Sequence, residues 1–241
     1  MTQLRLQRRF APLKRTLPKA VWQPFRAIMT GLITPIRFSV KSGHWKSSMR
    51  MTACTESGEP LPWYTYPAID FLAQRNFEGR NVLEFGGGQS TLWWSKRARS
   101  VLTIEEDAVW YERLRSQIRD NVTLFHVPAD DRTRAVERIR KIIDGNTVHK
   151  FDVVIVDGHF REQLTILAFE YLAQDGVIIL DDSDGYQFFD LTKDLNCRRV
   201  DFFGFAPGVH MRRCTSIAYV DDCFVLKPDI PIPVIELVGA S

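Results

Sequence analysis

From residue 56 onward, short β-rich runs alternate with segments of helical periodicity. This alternation is typical of a parallel sheet whose strands are joined by crossover helices. The clearest strand is predicted at 151–156, where an almost continuous apolar run indicates burial on both faces. The other predicted elements are strands at 81–85, 100–104, 122–127 and 176–180, and helices at 90–99, 108–119, 132–144 and 161–173. The sequence therefore predicts an α/β fold with helices on both faces of a sheet.

The pattern changes after the fifth strand. Two further β-rich runs, at 200–203 and 216–220, are joined by a loop that contains Gly and Pro and has no helical periodicity. Strands that are joined without a crossover helix pair antiparallel. We therefore predict a mostly parallel seven-stranded sheet with an antiparallel terminal strand.

Three consecutive glycines, Gly86, Gly87 and Gly88, directly follow the first strand. Glycine permits a tight turn and lets backbone N–H groups at a helix N-terminus face a ligand. Three glycines alone also fit a turn that binds nothing. Ser90 and Thr91 then lie where the N-cap of the next helix is expected.

Two acidic residues indicate what this turn binds. Glu84 lies inside the first strand, where burial of a carboxylate is costly unless it has a partner. Glu105 comes directly after the second strand, about twenty residues downstream of the glycine turn. In a nucleotide-binding βαβ unit, the acid that reaches the ribose hydroxyls has this spacing. A G-x-G-x-x-G dinucleotide motif would need glycine at position 91, where the chain has Thr91. These residues predict an adenosine ligand without a pyrophosphate, and S-adenosylmethionine fits that description.

Two segments carry a family resemblance. VLEFGGGQSTLWW resembles the first motif of class I S-adenosylmethionine-dependent methyltransferases, and IEEDAVWYERL resembles their second, acid-ended strand. The resemblance extends from about Gly58 to Val220 and implies a Rossmann-like methyltransferase fold. In the preceding segment PLPWYTYPAIDFL, Tyr64 and Tyr66 are predicted either to line the cofactor pocket or to pack in the core.

The resemblance also implies roles for individual residues. Glu84 would lie near the methionine amino group, usually through water, and Glu105 would hold the ribose hydroxyls. Gly86 and Gly88 would approach the cofactor closely, while Ser90 stands where many members have a third glycine. The full set of predicted cofactor-binding residues is Glu84, Gly86, Gly87, Gly88, Ser90, Glu105, Asp130 and Asp157.

Three carboxylates follow two neighbouring strands. Asp157 comes after the fourth strand, and Asp181 and Asp182 come after the fifth. These strand ends are predicted to meet at the ligand-binding edge of the sheet, and crowded carboxylates repel one another unless a positive charge is present. In one interpretation they hold a Mg²⁺ ion, which prefers oxygen ligands, and this resembles the metal-dependent O-methyltransferases of catechols and macrolide sugars. In the other, Asp157 caps a helix and the Asp-Asp pair forms a turn.

His159 and Asp157 are the candidate catalytic residues. An imidazole titrates near neutral pH and can act as a general base, which favours methylation of a hydroxyl oxygen. Arg161 is predicted either to bind an anionic substrate group or to pair with the nearby acids. The implied function is methyl transfer from S-adenosylmethionine to a small-molecule or glycan acceptor.

Two other functions stay open as alternatives. An aminopropyltransferase of the spermidine synthase type also uses a GGG turn and a downstream acid. Such enzymes usually carry Asp-Ser-x-Asp-Pro after the fourth strand, where this chain has Asp157-Gly158-His159. The second alternative is a membrane-associated protein that binds the cofactor and has lost catalysis.

The first 50 residues contain eleven of the 32 Lys and Arg residues and none of the 29 Asp and Glu residues. We therefore divide the chain into a basic N-terminal extension at 1–55 and a methyltransferase domain at 56–241. Basic residues beside Trp22, Phe25 and Ile28 suit an interfacial helix on an anionic membrane. The alternatives are a solvated, loosely packed arm, an organelle transit peptide and a nucleic-acid-binding arm. We expect no nucleic-acid partner, because the remaining domain is acidic.

The four cysteines lie far apart and form no C-x-x-C pair. This spacing fits neither a metal finger nor a disulfide framework. We expect reduced thiols in a cytoplasmic protein, which would be a peripheral membrane protein if the basic arm binds a membrane.

Overall fold

The computed structural model describes residues 16–185, 193 and 195–227. The chain divides into two compact units, one of residues Ser42–Ile230 and a smaller one of residues Met1–Lys41 and Pro231–Ser241. In the smaller unit, helix α1 spans Lys19–Lys41 and has no buried residue. No helix in the described part of the chain has the length and hydropathy needed to cross a membrane.

The larger unit begins at Ser42 rather than at residue 56. Helix α2 spans His44–Arg50, and its Ser47 is buried. The Ser47 hydroxyl donates to the carbonyl of Cys54 and accepts from its N–H, each at 3.0 Å. These contacts hold α2 against the segment at Cys54, within the same compact unit as the sheet.

The larger unit is built on a sheet whose strands are β1 Asn81–Phe85, β2 Ser100–Glu105, β3 Val122–His126, β4 Phe151–Val156, β5 Leu172–Leu180, β6 Arg198–Phe205 and β7 Arg212–Tyr219. The seven described strands lie in the order β3-β2-β1-β4-β5-β7-β6. All neighbours pair parallel except β7, which is antiparallel to both β5 and β6. This confirms the predicted fold class, a mostly parallel seven-stranded sheet with an antiparallel terminal strand.

Helices cover both faces of this sheet. They are α3 Tyr66–Ala73, α4 Gln89–Ser95, α5 Ala108–Arg115, α6 Arg132–Asp144 and α7 Arg161–Tyr171, followed by a 3-10 turn at Phe224–Leu226. One apolar cluster packs α3 and α4 against β1 and β4, and a second packs α6 and α7 against the opposite face. Side chains of β4 alternate between the two clusters, which explains why its sequence is apolar apart from Asp152.

The topology sets where a ligand can bind. β1 lies between β2 and β4, and the chain leaves β1 toward β2 on one side and later returns through β4 on the other. The helices that follow β1 and β4 therefore cover opposite faces of the sheet, and a crevice lies beyond the carboxyl ends of these strands. Ligands of open α/β sheets bind at such a switch point.

Candidate functional site

A cavity of about 280 Å³ opens at this switch point. Its volume is near the lower end of the range for small-molecule sites, about 300–1,000 Å³. Its walls come from the loops after β1, β2 and β4 and from the segment before α3. The lining residues are Trp63, Gly86, Gly87, Gly88, Gln89, Ser90, Glu105, Glu106, Asp107, Trp110, Asp157 and His159.

The glycine turn forms one wall of the cavity. Gly86 has φ +87°, and an added Cβ would lie 2.7 Å from the backbone nitrogen of Gly158. Such a separation is shorter than van der Waals contact, so only glycine fits at this position. At Gly88 an added Cβ would meet nothing within 4 Å. The turn is therefore closed against β4 at Gly86 and open at Gly88.

Thr91 links the turn to the buried carboxylate of Glu84. The Thr91 hydroxyl donates to Glu84 Oε2 at 2.5 Å and accepts from Gly88 N at 3.0 Å. The Thr103 hydroxyl donates to the same carboxylate oxygen at 2.9 Å. Gly88 itself is the N-cap of α4, so the predicted N-cap at Ser90 or Thr91 was wrong. The physical reason is that the Thr91 side chain lies in the first turn and bonds to Gly88 and Glu84 instead.

Glu84 lies fully buried beneath the cavity. Burial raises its pKa from 4.5 to about 7, and the side chains of Ser90, Thr91 and Thr103 offset part of this rise. Its second oxygen, Oε1, has no hydrogen-bond partner among the described residues. A buried carboxylate oxygen without a donor is costly, so this position suits a ligand or water that supplies one.

Glu105 ends β2 and lines the cavity. Its Oε2 accepts from Gly87 N at 2.5 Å and its Oε1 accepts from Asp107 N at 2.7 Å. Burial raises the pKa of Glu105 to about 7, against these two hydrogen bonds. Because a carboxylate offers about four acceptor sites, the two oxygens can still accept from a ligand diol.

The loop after β4 brings a histidine to the rim of the cavity. His159 Nδ1 lies 2.6 Å from Glu106 Oε1, and the backbone N–H of His159 donates to the same oxygen at 2.6 Å. The His159 side chain is 71% exposed, whereas that of Glu106 is 17% exposed. Glu106 was not among the site residues predicted from the sequence. The signal was present in the two consecutive acids at the end of β2, because neighbouring strand residues point in opposite directions.

An arginine supplies the positive charge among the acids that follow β4 and β5. Arg161 donates to Asp157 Oδ1 at 2.8 Å and to the backbone carbonyls of Asp157 and Asp181. Burial and the neighbouring charge of Asp181 raise the pKa of Asp157 well above its ordinary range, and Arg161 opposes this shift. Of the two roles predicted for Arg161, the structure shows the pairing with acids.

The three carboxylates do not assemble as metal ligands. Asp181 accepts from the buried Thr215 hydroxyl at 2.9 Å, and Asp182 lies 3.5 Å from the Arg213 guanidinium. Within residues 16–185, 193 and 195–227, no group of three His, Cys, Asp or Glu side chains could hold a metal ion. The Mg²⁺ site predicted at Asp157, Asp181 and Asp182 therefore does not fit this arrangement, because arginines already pair with two of the acids. The predicted capping role of Asp157 is also wrong, since Phe160 is the N-cap of α7.

Aromatic residues of the cavity differ from those expected. Tyr64 is completely buried and accepts a hydrogen bond from Trp94 Nε1 at 3.3 Å, while the Tyr66 hydroxyl donates to the Ser42 carbonyl. Both therefore pack in the core, the second of their two predicted roles. Trp63 lines the cavity instead and meets the ring of Trp110 edge to face, with 6.1 Å between centroids.

The remaining predicted residues divide between the cavity and the surface. Ser90 is buried in the first turn of α4 and lines the cavity. Asp130 does not line it. Its carboxylate is exposed and lies 3.1 Å from the Arg138 guanidinium, which lowers the pKa of Asp130 through a hydrogen bond. The prediction of Asp130 as a cofactor ligand is not supported by this position.

Comparison with known proteins gives likenesses in structure alone. No protein-family model and no curated protein matches the chain. The O-methyltransferase TomG from Streptomyces achromogenes, involved in tomaymycin synthesis and solved in complex with SAM, is 16% identical. The match covers 75% of this chain and 87% of that protein, with a TM-score of 0.50.

Two further solved structures have similar scores. The O-methyltransferase from Bacillus cereus, solved in complex with SAH, is 19% identical over 59% of this chain and 74% of its own, with a TM-score of 0.49. The precorrin-6y C5,15-methyltransferase from Geobacter metallireducens is 15% identical over 64% of this chain and 87% of its own, also at 0.49. At these identities the likeness concerns the fold. On the TomG match and the strand order, the chain has the Rossmann-like fold of class I S-adenosylmethionine-dependent methyltransferases.

Proposed function

We propose that the protein is an S-adenosylmethionine-dependent methyltransferase that acts on a hydroxyl oxygen of a small-molecule or glycan acceptor. The observation that carries this proposal is the cavity at the switch point of the sheet, where the glycine turn meets Glu105 and Asp157. The acids suit a ligand that combines a ribose diol with a positive charge.

Three features of the chain support this ligand. Glu105 can accept from a ribose diol while it keeps its bonds to Gly87 and Asp107. The open side of Gly88 lets the ligand approach the backbone closely. Asp157 supplies negative charge toward a sulfonium or an amino group, and a cation would in turn relieve its repulsion with Asp181.

His159 is the proposed general base. Glu106 holds the proton on Nδ1 of His159, so the Nε2 atom carries a lone pair. This lone pair takes the proton from the hydroxyl of the substrate that is methylated. Glu106 is a positioning residue that fixes the ring and stabilises the imidazolium formed in the transfer. S-adenosylmethionine supplies the electrophile when bound, a methyl group on a positively charged sulfur.

Methyl transfer needs the acceptor oxygen to lie in line with the sulfur–methyl bond that breaks. Positioning of this kind contributes several kcal/mol to catalysis, about 7–11 in the most favourable cases. Trp63 and Trp110 are suited to this role, since they offer flat apolar surfaces at the cavity wall. No step is assigned to a metal, because the carboxylates after β4 and β5 pair with Arg161 and Arg213.

The proposal is tested by transfer of a labelled methyl group from S-adenosylmethionine to a panel of phenol, catechol and sugar acceptors. We expect transfer to at least one hydroxyl acceptor and loss of that transfer in His159→Gln. Labelling of carbon or nitrogen, with no labelled oxygen, would contradict O-methylation. Turnover of decarboxylated S-adenosylmethionine with putrescine, and none of the intact cofactor, would establish the aminopropyltransferase alternative.

A further inference from the structure

Helix α1 presents an apolar face to solvent. Val21, Ile28, Leu32 and Ile36 are 51%, 60%, 61% and 63% exposed. Their spacing of seven, four and four residues places them on one side of a helix. No residue of α1 is buried, and the helix is not a membrane span. This apolar face is therefore neither part of a core nor suited to crossing a bilayer.

The other side of α1 is basic. Lys19, Arg26, Arg37 and Lys41 follow one another at spacings of seven, eleven and four residues, which keeps them on a common face. Thr30 and Thr34 lie on the same polar side. The helix contains no Asp or Glu, and the first acid of the chain is Glu56.

We infer that α1 binds the surface of an anionic lipid bilayer, with its apolar face toward the acyl chains and its basic face among the lipid phosphates. A helix with separate basic and apolar faces lies in the plane of the membrane interface, and anionic lipid strengthens the binding. The positive charge of α1 complements such a surface. A nucleic acid would engage the basic residues and leave Ile28, Leu32 and Ile36 in water, so it accounts for only half of the pattern.

The test is flotation of the full-length chain with vesicles of phosphatidylcholine alone or mixed with phosphatidylglycerol. We expect binding to the mixed vesicles and little to phosphatidylcholine alone. Ile28→Gln with Leu32→Gln should weaken binding by about tenfold or more, because both apolar side chains leave the interface. The matched control is Thr30→Gln with Thr34→Gln, which places the same residue type on the polar face and should bind as the unmodified chain does.

Three outcomes would overturn the inference. They are absence from the floated fraction at low salt, equal binding to both vesicle types, and unchanged binding of the Ile28/Leu32 variant. If the chain binds a short DNA duplex but no vesicles, and the Ile28/Leu32 variant still binds that duplex, the helix would be assigned to nucleic acid instead. Because α1 has no buried residue, both double variants should keep the circular dichroism spectrum and melting temperature of the unmodified chain. The inference is independent of the proposed methyl transfer.

Discussion

A β-carbon at Gly86 would lie 2.7 Å from the backbone nitrogen of Gly158, so the turns that follow β1 and β4 touch through their backbones. The contact holds the glycine turn against the loop that carries Asp157 and His159. It fixes two walls of the cavity relative to each other. Gly88, two residues further on, has no such neighbour.

This difference predicts that alanine at Gly86 lowers stability, whereas alanine at Gly88 weakens ligand binding. Gly86→Ala should lower the free energy of unfolding by about 2–4 kcal/mol, because a side chain is strained at φ +87° and collides with Gly158. Gly88→Ala should change it by less than about 1 kcal/mol, since its extended backbone suits any residue. It should instead weaken binding of S-adenosylhomocysteine, because the added methyl group occupies ligand space. Denaturant unfolding and calorimetry measure both, and equal stability of the two variants would contradict the geometry.

The buried carboxylate of Glu84 predicts a dependence of stability on pH. Folding raises its pKa from 4.5 to about 7, so the folded chain holds a proton that the unfolded chain releases between these values. Stability should therefore fall as pH rises through this window, by up to about 3 kcal/mol from this group. Glu84→Gln should flatten the slope, whereas Glu78→Gln, at an exposed position, should not. An unchanged slope in Glu84→Gln, measured by denaturation at several pH values, would refute the assignment.

The pair of His159 and Glu106 predicts graded losses of activity. His159→Gln should reduce kcat by about a hundredfold or more, the usual contribution of a general base. Glu106→Gln should reduce it less and shift the pH profile, because the ring keeps its place in the loop and loses its anionic partner. KM for S-adenosylmethionine should change little in either variant. A Glu106→Gln enzyme with lower kcat and an unchanged pH profile would indicate a structural role only.

The ion pair between Arg161 and Asp157 predicts that methyl transfer requires no divalent cation. EDTA should leave cofactor binding and methyl transfer unchanged, because the guanidinium already pairs with Asp157. Arg161→Leu should destabilise the protein by about 1–3 kcal/mol, since it leaves the half-buried carboxylate of Asp157 without its cationic partner. The control Arg138→Leu breaks an exposed pair with Asp130 and should cost less than about 1 kcal/mol. Loss of transfer on chelation, restored by Mg²⁺, would contradict this prediction.

The sequence predicts the elements that depend on local pattern. The bounds of β1, β4 and α6 agree with those predicted, because each is set by a local pattern of apolar residues. β5 starts at Leu172 rather than at 176, since its pairing with Phe151 extends it backward. Such pairing depends on a neighbouring strand and is not visible in local pattern.

The candidate site was predictable in its backbone and less so in its side chains. The glycine turn and Glu105 follow from their positions after two strands. Glu106 contacts His159 across 53 residues of chain, and Arg161 reaches the backbone carbonyl of Asp181 across 20, so local spacing did not reveal these contacts. Trp63 was missed in favour of its neighbour Tyr64, because the sequence does not show which side of this loop faces the cavity.

The most direct test of the central claim is calorimetric titration of the full chain with S-adenosylmethionine and S-adenosylhomocysteine, alongside Glu105→Gln. The substitution leaves a single acceptor oxygen, so its amide NH₂ faces the N–H of either Gly87 or Asp107, and one of the two oxygens that accept from the ribose diol is lost. We expect saturable binding to the unmodified chain, weakened by about tenfold or more in the variant. Because burial raises the pKa of Glu105 to about 7, affinity should also fall as pH drops below this value. No binding of either ligand to folded protein, or equal binding by the variant, would contradict the cofactor site.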